Sequence, residues 1–370
     1  MRVNKRLSSI QVVLTALWLS TSAAWAAGAT DALDQPALAC RRPAQSVLLD
    51  VTTAGSRVIA VGERGIIVFS DDAGQTWQQA KVPTSVSLTA VQFPTPKQGW
   101  AVGHAGVVLH SEDGGQTWLR QLDGRIAAQL ALEAAQANVN ASGGAGTRAE
   151  AARRQLADAQ RLVDDGPGKP FLALHFENEQ SGFVVGAYGL MFRTTDGGRT
   201  WQPWMNHLEN PKGLHLNAIR AVGKTIYLAG EQGLFLRSTD GGNSFTRLTT
   251  PYEGSYFTLA AMSSGEVVVA GMRGNAYWSA DQGTTFIKVE SPMPVSFSAV
   301  TIQADGRLLF ANQAGMLLES RDHGRSLEPL AIPPMPPLAG MAELQDGSIV
   351  TVGFGGALRI PGANKTGGAQ

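Results

Sequence analysis

VIAVGERGIIVFSDDAGQTW, from Val58 to Trp77, contains both of the signals that decide the fold. Its two apolar runs, VIAV and IIVF, flank the turn Gly62-Glu63-Arg64-Gly65 and read as a β-hairpin, in which glycine supplies a positive φ that costs other residues about 1–2 kcal/mol. Behind the second run stands SDDAGQTW, starting at Ser70. That phrase recurs as SEDGGQTW at Ser111, TTDGGRTW at Thr194, STDGGNSF at Ser238, SADQGTTF at Ser279 and SRDHGRSL at Ser320. Its third-position acids are Asp72, Asp113, Asp196, Asp240, Asp281 and Asp322, at intervals of 41, 83, 44, 41 and 41 residues. The long interval is one repeat plus an insertion, and a fixed period of this kind marks a repeat architecture.

The glycine pairs give the repeat number. They fall at Gly62/Gly65, Gly103/Gly106, Gly186/Gly189, Gly230/Gly233, Gly271/Gly274 and Gly353/Gly356, with Asn312/Gly315 as a variant, which makes seven units. A further apolar run ahead of each hairpin, such as LTAVQF or FLALHF, brings each unit to four strands in ~41 residues, the size of one propeller blade. The expected fold is therefore all-β: a seven-bladed β-propeller over residues 27–370. The last unit, SIVTVGFGGALRI, runs into PGANKTGGAQ, which is too rich in glycine and polar residues for a fourth strand. The segment from Gln35 to Pro43 is the expected donor of that strand, closing the ring and removing its edges.

The repeated phrase has a structural reading. Its hydroxyl and carboxylate can bond to turn amides, while Trp77, Trp118 and Trp201 return into the core. No copy supplies the alternating ligands and terminal glutamate of a calcium loop, so these acids are not expected to bind a metal.

Arg2, Lys5 and Arg6 followed by IQVVLTALWL and Ala24-Trp25-Ala26 read as a secretory signal over residues 1–26. Its removal leaves 27 basic and 30 acidic residues, a net charge of −3, which argues against general nucleic-acid binding. Cys40 is the only cysteine and is expected half-buried in the closing strand.

Between blades two and three, over residues 124–168, alanine replaces the strand pattern. RIAAQLALEAAQANVN, the break ASGGAG and TRAEAARRQLADAQRLV read as a helical hairpin, with Thr147 and Glu150 as a capping box. From Ile126 to Thr147 the only charge is Glu133, so this helix should pack on something: the second helix, through Leu130 and Leu156, or a docked protein. Chain direction puts the hairpin on the same face as the GxxG turns. That face also carries Arg64, His104, Tyr188, Glu231, Tyr252, Arg273 and Phe354, residue types suited to protein contacts.

A signal peptide followed by seven blades of GxxGxxxxSxDGGxTW resembles the photosystem II assembly and stability factor family and its homologues in non-photosynthetic bacteria, and the phrase itself resembles the Asp-box, or BNR repeat. The resemblance implies a non-catalytic scaffold without cofactor in the periplasm or thylakoid lumen, peripheral to the membrane. It would bind a membrane-protein client, photosystem-related or an RND-type exporter, through a face to which Arg64 and Arg273 would belong. The alternatives are a glycan-binding module and a sialidase-like glycoside hydrolase. Sialidases carry a RIP motif near the first blade, and no RIP sequence closely follows the signal peptide here.

Overall fold

The computed structural model describes residues 31–333 and 335–362; the signal-peptide reading of residues 1–26 lies outside them. Seven antiparallel sheets follow one another along the chain, six of four strands and the last of three. Blade one consists of Leu48–Ala54, Arg57–Gly62, Ile67–Ser70 and Gln78–Gln79, and the later blades repeat that plan. The first strand of each blade is the inner one: Leu48–Ala54, Leu88–Gln92, Phe171–Phe176, Leu216–Val222, Tyr256–Ala261, Phe297–Ile302 and Leu338–Glu343. Each inner strand packs against the next, and Leu338–Glu343 packs against Leu48–Ala54, so the ring is closed.

Apolar side chains fill the seams between blades. Leu88, Ile59, Phe69, Phe93 and Trp118 form one such cluster, and Trp100, Phe176, Phe192 and Trp201 another. Inside the ring, side chains bridge blades to main chain: Thr89 Oγ1 donates to the Phe171 carbonyl at 2.8 Å and Asn217 Nδ2 to the Tyr256 carbonyl at 2.8 Å. Gln92 both donates to and accepts from Phe176.

The expected donation of Gln35–Pro43 to blade seven does not occur. That segment forms a strap along the rim of blades one and two, and Gly356–Ile360 is the outermost strand of blade seven. Leu33 is fully buried in the seam with Val82 and Trp118. Ala37 N donates to the Val82 carbonyl at 3.1 Å, and Gln79 holds both the Leu38 carbonyl and the Cys40 N–H. Burying Leu33 and satisfying these groups draws the strap to blade one, and Pro36 and Pro43 lack the N–H groups a strand ladder needs. Cys40 is exposed on the strap rather than half-buried in a strand.

The insertion forms two helices, α1 (Gly124–Ala141) and α2 (Thr147–Asp164). Asp123 caps α1 by accepting from Arg125 N and Ile126 N. The capping box at Thr147 and Glu150 is not formed, because Gly146 takes the cap position and offers no side chain. The uncharged face of α1 is already used. Ala131, Ala135, Leu132, Ala159, Leu156 and Met205 pack together, while Ala127 and Leu130 join the core between blades two and three. α1 thus lies against the outer strand of blade three, Gln202–Pro203, and Leu130 meets the propeller instead of the seam between helices.

Candidate functional site

The GxxG hairpins of blades one to five share one turn geometry. In blade one, Ile66 N donates to the Glu63 carbonyl at 3.0 Å across Arg64 (φ 53) and Gly65 (φ 71), a type I′ turn whose two central residues are both left-handed. The same position holds Ala105 (φ 54), Tyr188 (φ 56), Gln232 (φ 51) and Arg273 (φ 56). Glycine supplies positive φ only at the second site of each pair. The first glycine is extended, and its role is close approach: a Cβ on Gly62 would lie 2.1 Å from the Val47 carbonyl oxygen.

These turns hold Arg64, His104, Tyr188, Arg273 and Phe354 exposed on one face. Phe354 is 69% and Tyr188 60% exposed. The face has no basic centre from Arg64 and Arg273, which stand on blades one and five and are not neighbours. What does converge is a group around blade three. Lys169 Nζ lies over the Tyr188 ring at 5.0 Å from its centroid, and the Tyr188 and His215 rings meet edge to face at 5.0 Å. Glu231 accepts from His215 N at 3.0 Å, so it is engaged beside that ring. Tyr252 is half-buried, stacks on Tyr277 at 5.9 Å and donates to the Met272 carbonyl; it acts as a brace beneath the face. Lys169 and His215 were missed in the sequence because each precedes an inner strand in a loop with no repeat signature.

On the opposite face the six repeated phrases form one bonded turn. In the first, Ser70 Oγ donates to Asp72 Oδ1 at 2.7 Å and accepts from Gly74 N at 2.8 Å. Asp72 also accepts from Gln75 N, Thr76 N and Thr76 Oγ1. Asp113, Asp196, Asp240, Asp281 and Asp322 bond in the same way. The Thr76 hydroxyl and amide hold the Asp72 carboxyl down at about 2, and equivalent bonds hold Asp240 and Asp281 at about 2. A carboxylate so occupied is a turn brace. Trp118 and Trp201 are buried behind their turns, whereas Trp77 is only half-buried.

Three ionisable residues interrupt the apolar inner strands: Asp50, His175 and Arg220, on blades one, three and four. Burial pushes the Asp50 carboxyl up to about 6, opposed by the Val91 and Val51 N–H groups and by the charge of Arg220. Burial pushes His175 down to about 4, and the Arg220 charge adds to that effect. The signs oppose each other. As pH falls from 6 towards 3.8, folded Asp50 takes up a proton that the unfolded chain has not yet bound, and the folded state gains. As pH falls from 6.5 to 4, the unfolded chain protonates His175 while the folded state does not, and the folded state loses. The melting temperature should therefore be nearly flat across that window. It should then fall below pH ~4 as the turn carboxylates, ionised down to about 2, are titrated. Asp50→Asn keeps the bond from Val91 N but removes the compensating proton, so calorimetry should show its melting temperature falling between pH 6.5 and 4; a flat profile would contradict this assignment.

The family profile described as "Photosynthesis system II assembly factor YCF48" matches residues 32–165 and 167–317. A search of curated proteins returns no match. Among solved structures, "YCF48 bound to D1 peptide" superposes with a TM-score of 0.61 at 16% identity, covering 89% of this chain and 100% of that one. YCF48 from Cyanidioschyzon merolae gives 0.60 at 15% identity, covering 88% and 98%. The WD40 propeller domain of Doa1 also gives 0.60, at 10% identity, covering 88% of this chain and 95% of that one, so the superpositions establish the propeller fold. With its glycine-paired hairpins, its six braced turns and a profile match spanning most of its length, the chain belongs to the YCF48 photosystem II assembly factor family.

Proposed function

We propose that this protein is an exported, non-catalytic assembly scaffold that holds a membrane-protein client on its GxxG face. One observation carries the reading: Arg64, Tyr188 and Arg273 stand exposed at left-handed positions that glycine or asparagine would occupy at lower cost. Each costs about 1–2 kcal/mol of backbone strain, and strain of this kind persists where the side chain is used. Tyr188, Lys169, His215 and Glu231 combine an aromatic anchor with charges of both signs, the composition of a protein-binding hot spot. A solved YCF48 structure holds a D1 peptide, which supports polypeptide as the ligand class. The client is a photosystem-related complex or an RND-type exporter, and the working compartment is the periplasm or thylakoid lumen after loss of residues 1–26. The hairpin of α1 and α2 widens the face at the rim of blade three.

The test uses the protein from residue 27 onward as bait for detergent-solubilised envelope proteins, quantified by mass spectrometry. Tyr188→Ala combined with Lys169→Ala should lower client capture about tenfold or more at unchanged melting temperature. Arg64→Glu with Arg273→Glu should have a smaller effect, since the two lie on separate blades. Equal capture by the Tyr188 and Lys169 double variant would move the site off this face. Deleting the hairpin is a poorer test, because it would uncover Met205 and the Ala127 and Leu130 contacts with the core.

A further inference from the structure

Among the described residues, blade seven is where the ring lacks a strand. In blades one, three, four and six, the carbonyls of Ile67, Met191, Phe235 and Leu317 accept an N–H from Ala80, Trp204, Leu248 and Leu330, just beyond the outer strand, at 2.8–2.9 Å. Register against the second strand, Val61 with Ile67 and Val352 with Ala357, makes Ala357 the matching residue of blade seven. Among the described residues no backbone N–H donates to its carbonyl. The same register places Arg359 where blade one has Phe69, with its main chain turned to the outer edge.

The missing strand also changes a side chain. Trp118 is 3% exposed because Ala80 and Val82, which follow the outer strand of blade one, cover it, and its backbone N–H donates to the Lys81 carbonyl at 3.1 Å. Trp77 holds the corresponding place at the seam of blades seven and one, where no such stretch lies among the described residues, and it stays half-buried. The strap crosses the upper end of that seam, with the Ala44 carbonyl against Gly356, and its Arg41 and Arg42 are exposed there. Residues 363–370, ANKTGGAQ, carry no aromatic or branched aliphatic side chain.

We propose that this seam binds an extended segment of a partner polypeptide by strand addition. The segment pairs with the main chain of Ala357 and Arg359, lays an apolar side chain on Trp77 and points an acidic residue towards Arg41 and Arg42. A bare strand edge is a template for another strand, the half-exposed indole selects an apolar residue, and the two arginines select a negative charge. An antiparallel addition would run upward from the base of the blade, so the acidic residue belongs near the C-terminal end of the bound segment. The site is separate from the GxxG face, and its test is independent of the client experiment.

The probe is a fluorescein-labelled peptide of sequence TVTITVTEE, titrated with the full chain and followed by anisotropy. Saturable binding is expected. Arg359→Pro removes an edge N–H without touching the inner ladder and should weaken binding about tenfold or more, whereas Arg359→Ala should retain it. Trp77→Ala should weaken it as well, and N-methylation of alternate peptide residues should abolish it on the unaltered protein, so the conclusion does not depend on how the proline variant folds. Three outcomes would overturn the proposal: no saturable binding; binding that appears only after residues 363–370 are removed, which would make the chain's own tail the occupant; or a concentration-dependent dimer that Arg359→Pro dissolves, which would make a second copy the occupant.

Discussion

Trp118→Ala is expected to lower stability by ~3–5 kcal/mol, measured as the shift in the urea unfolding midpoint followed by circular dichroism. The indole is 3% exposed, meets Phe93 edge to face at 5.7 Å, and donates from Nε1 to the Gly115 carbonyl at 3.0 Å. Its removal would open a cavity bounded by Leu33 of the strap, Ile59, Phe69 and Val82 of blade one and Phe93 of blade two, a wall that cannot collapse without opening the seam. Trp77→Ala provides the internal comparison. Because that indole is only half-buried, its loss should cost about 1–2 kcal/mol. Equal losses at the two positions would show that burial behind the turn is not what the aromatic residue contributes.

Gly103→Ala should cost about 3 kcal/mol for a different reason. The backbone at Gly103 is extended (φ −177), a conformation open to any residue, so conformational strain has no part in the effect. The added Cβ would stand 2.2 Å from the Ser87 carbonyl oxygen and 2.7 Å from Leu88 Cα. Both belong to the approach and start of the inner strand of blade two, which Thr89 ties to blade three, so relief of the clash must displace the ring. Gly143→Ala, in the helical connection, has φ +73 and open space around its Cβ. It should cost only about 1 kcal/mol. Paired chemical denaturation of the two variants separates close approach from left-handed geometry, and a larger loss at Gly143 would reverse the assignment.

Blade number and strand order were legible because the determinants are local. A paired glycine, an apolar run of strand length and a hydroxyl-x-carboxylate turn each act within a few residues. The family reading rests on the same repeated phrases. Ring closure was not legible: the turn and tail chemistry of Ser348 to Gln370 indicates that blade seven lacks an outer strand, but the destination of Gln35–Pro43 depends on Leu33 finding a pocket made by residues 82 and 118. The docking of α1 was misjudged for a similar reason. An uncharged alanine-rich helix announces that it is covered, and Met205, which covers part of it, lies in an irregular stretch after blade three. At the GxxG face, exposure of Arg64, Tyr188 and Arg273 follows from turn position, yet the grouping of Tyr188 with Lys169 and His215 depends on how two interblade loops approach each other. Asp50, His175 and Arg220 did leave a trace, as lone ionisable residues within LLDVTTA, FLALHF and LNAIRAV.

Closure of the ring without a strand shared between its two ends bears on how the chain folds. Every sheet is assembled from consecutive residues, so each blade has low contact order and can form as soon as its own segment is available. A ring sealed by a strand from the opposite terminus must instead hold one blade incomplete, with a sticky edge, until the whole chain is present. Here the two ends of the propeller meet as Leu48–Ala54 docks on Leu338–Glu343 through side chains such as Val51 and Val350, with the Ala44 carbonyl of the strap against Gly356. Assembly can therefore proceed vectorially from the N-terminal end, and the loop-closure entropy of the ring is met once, at the end, by packing alone.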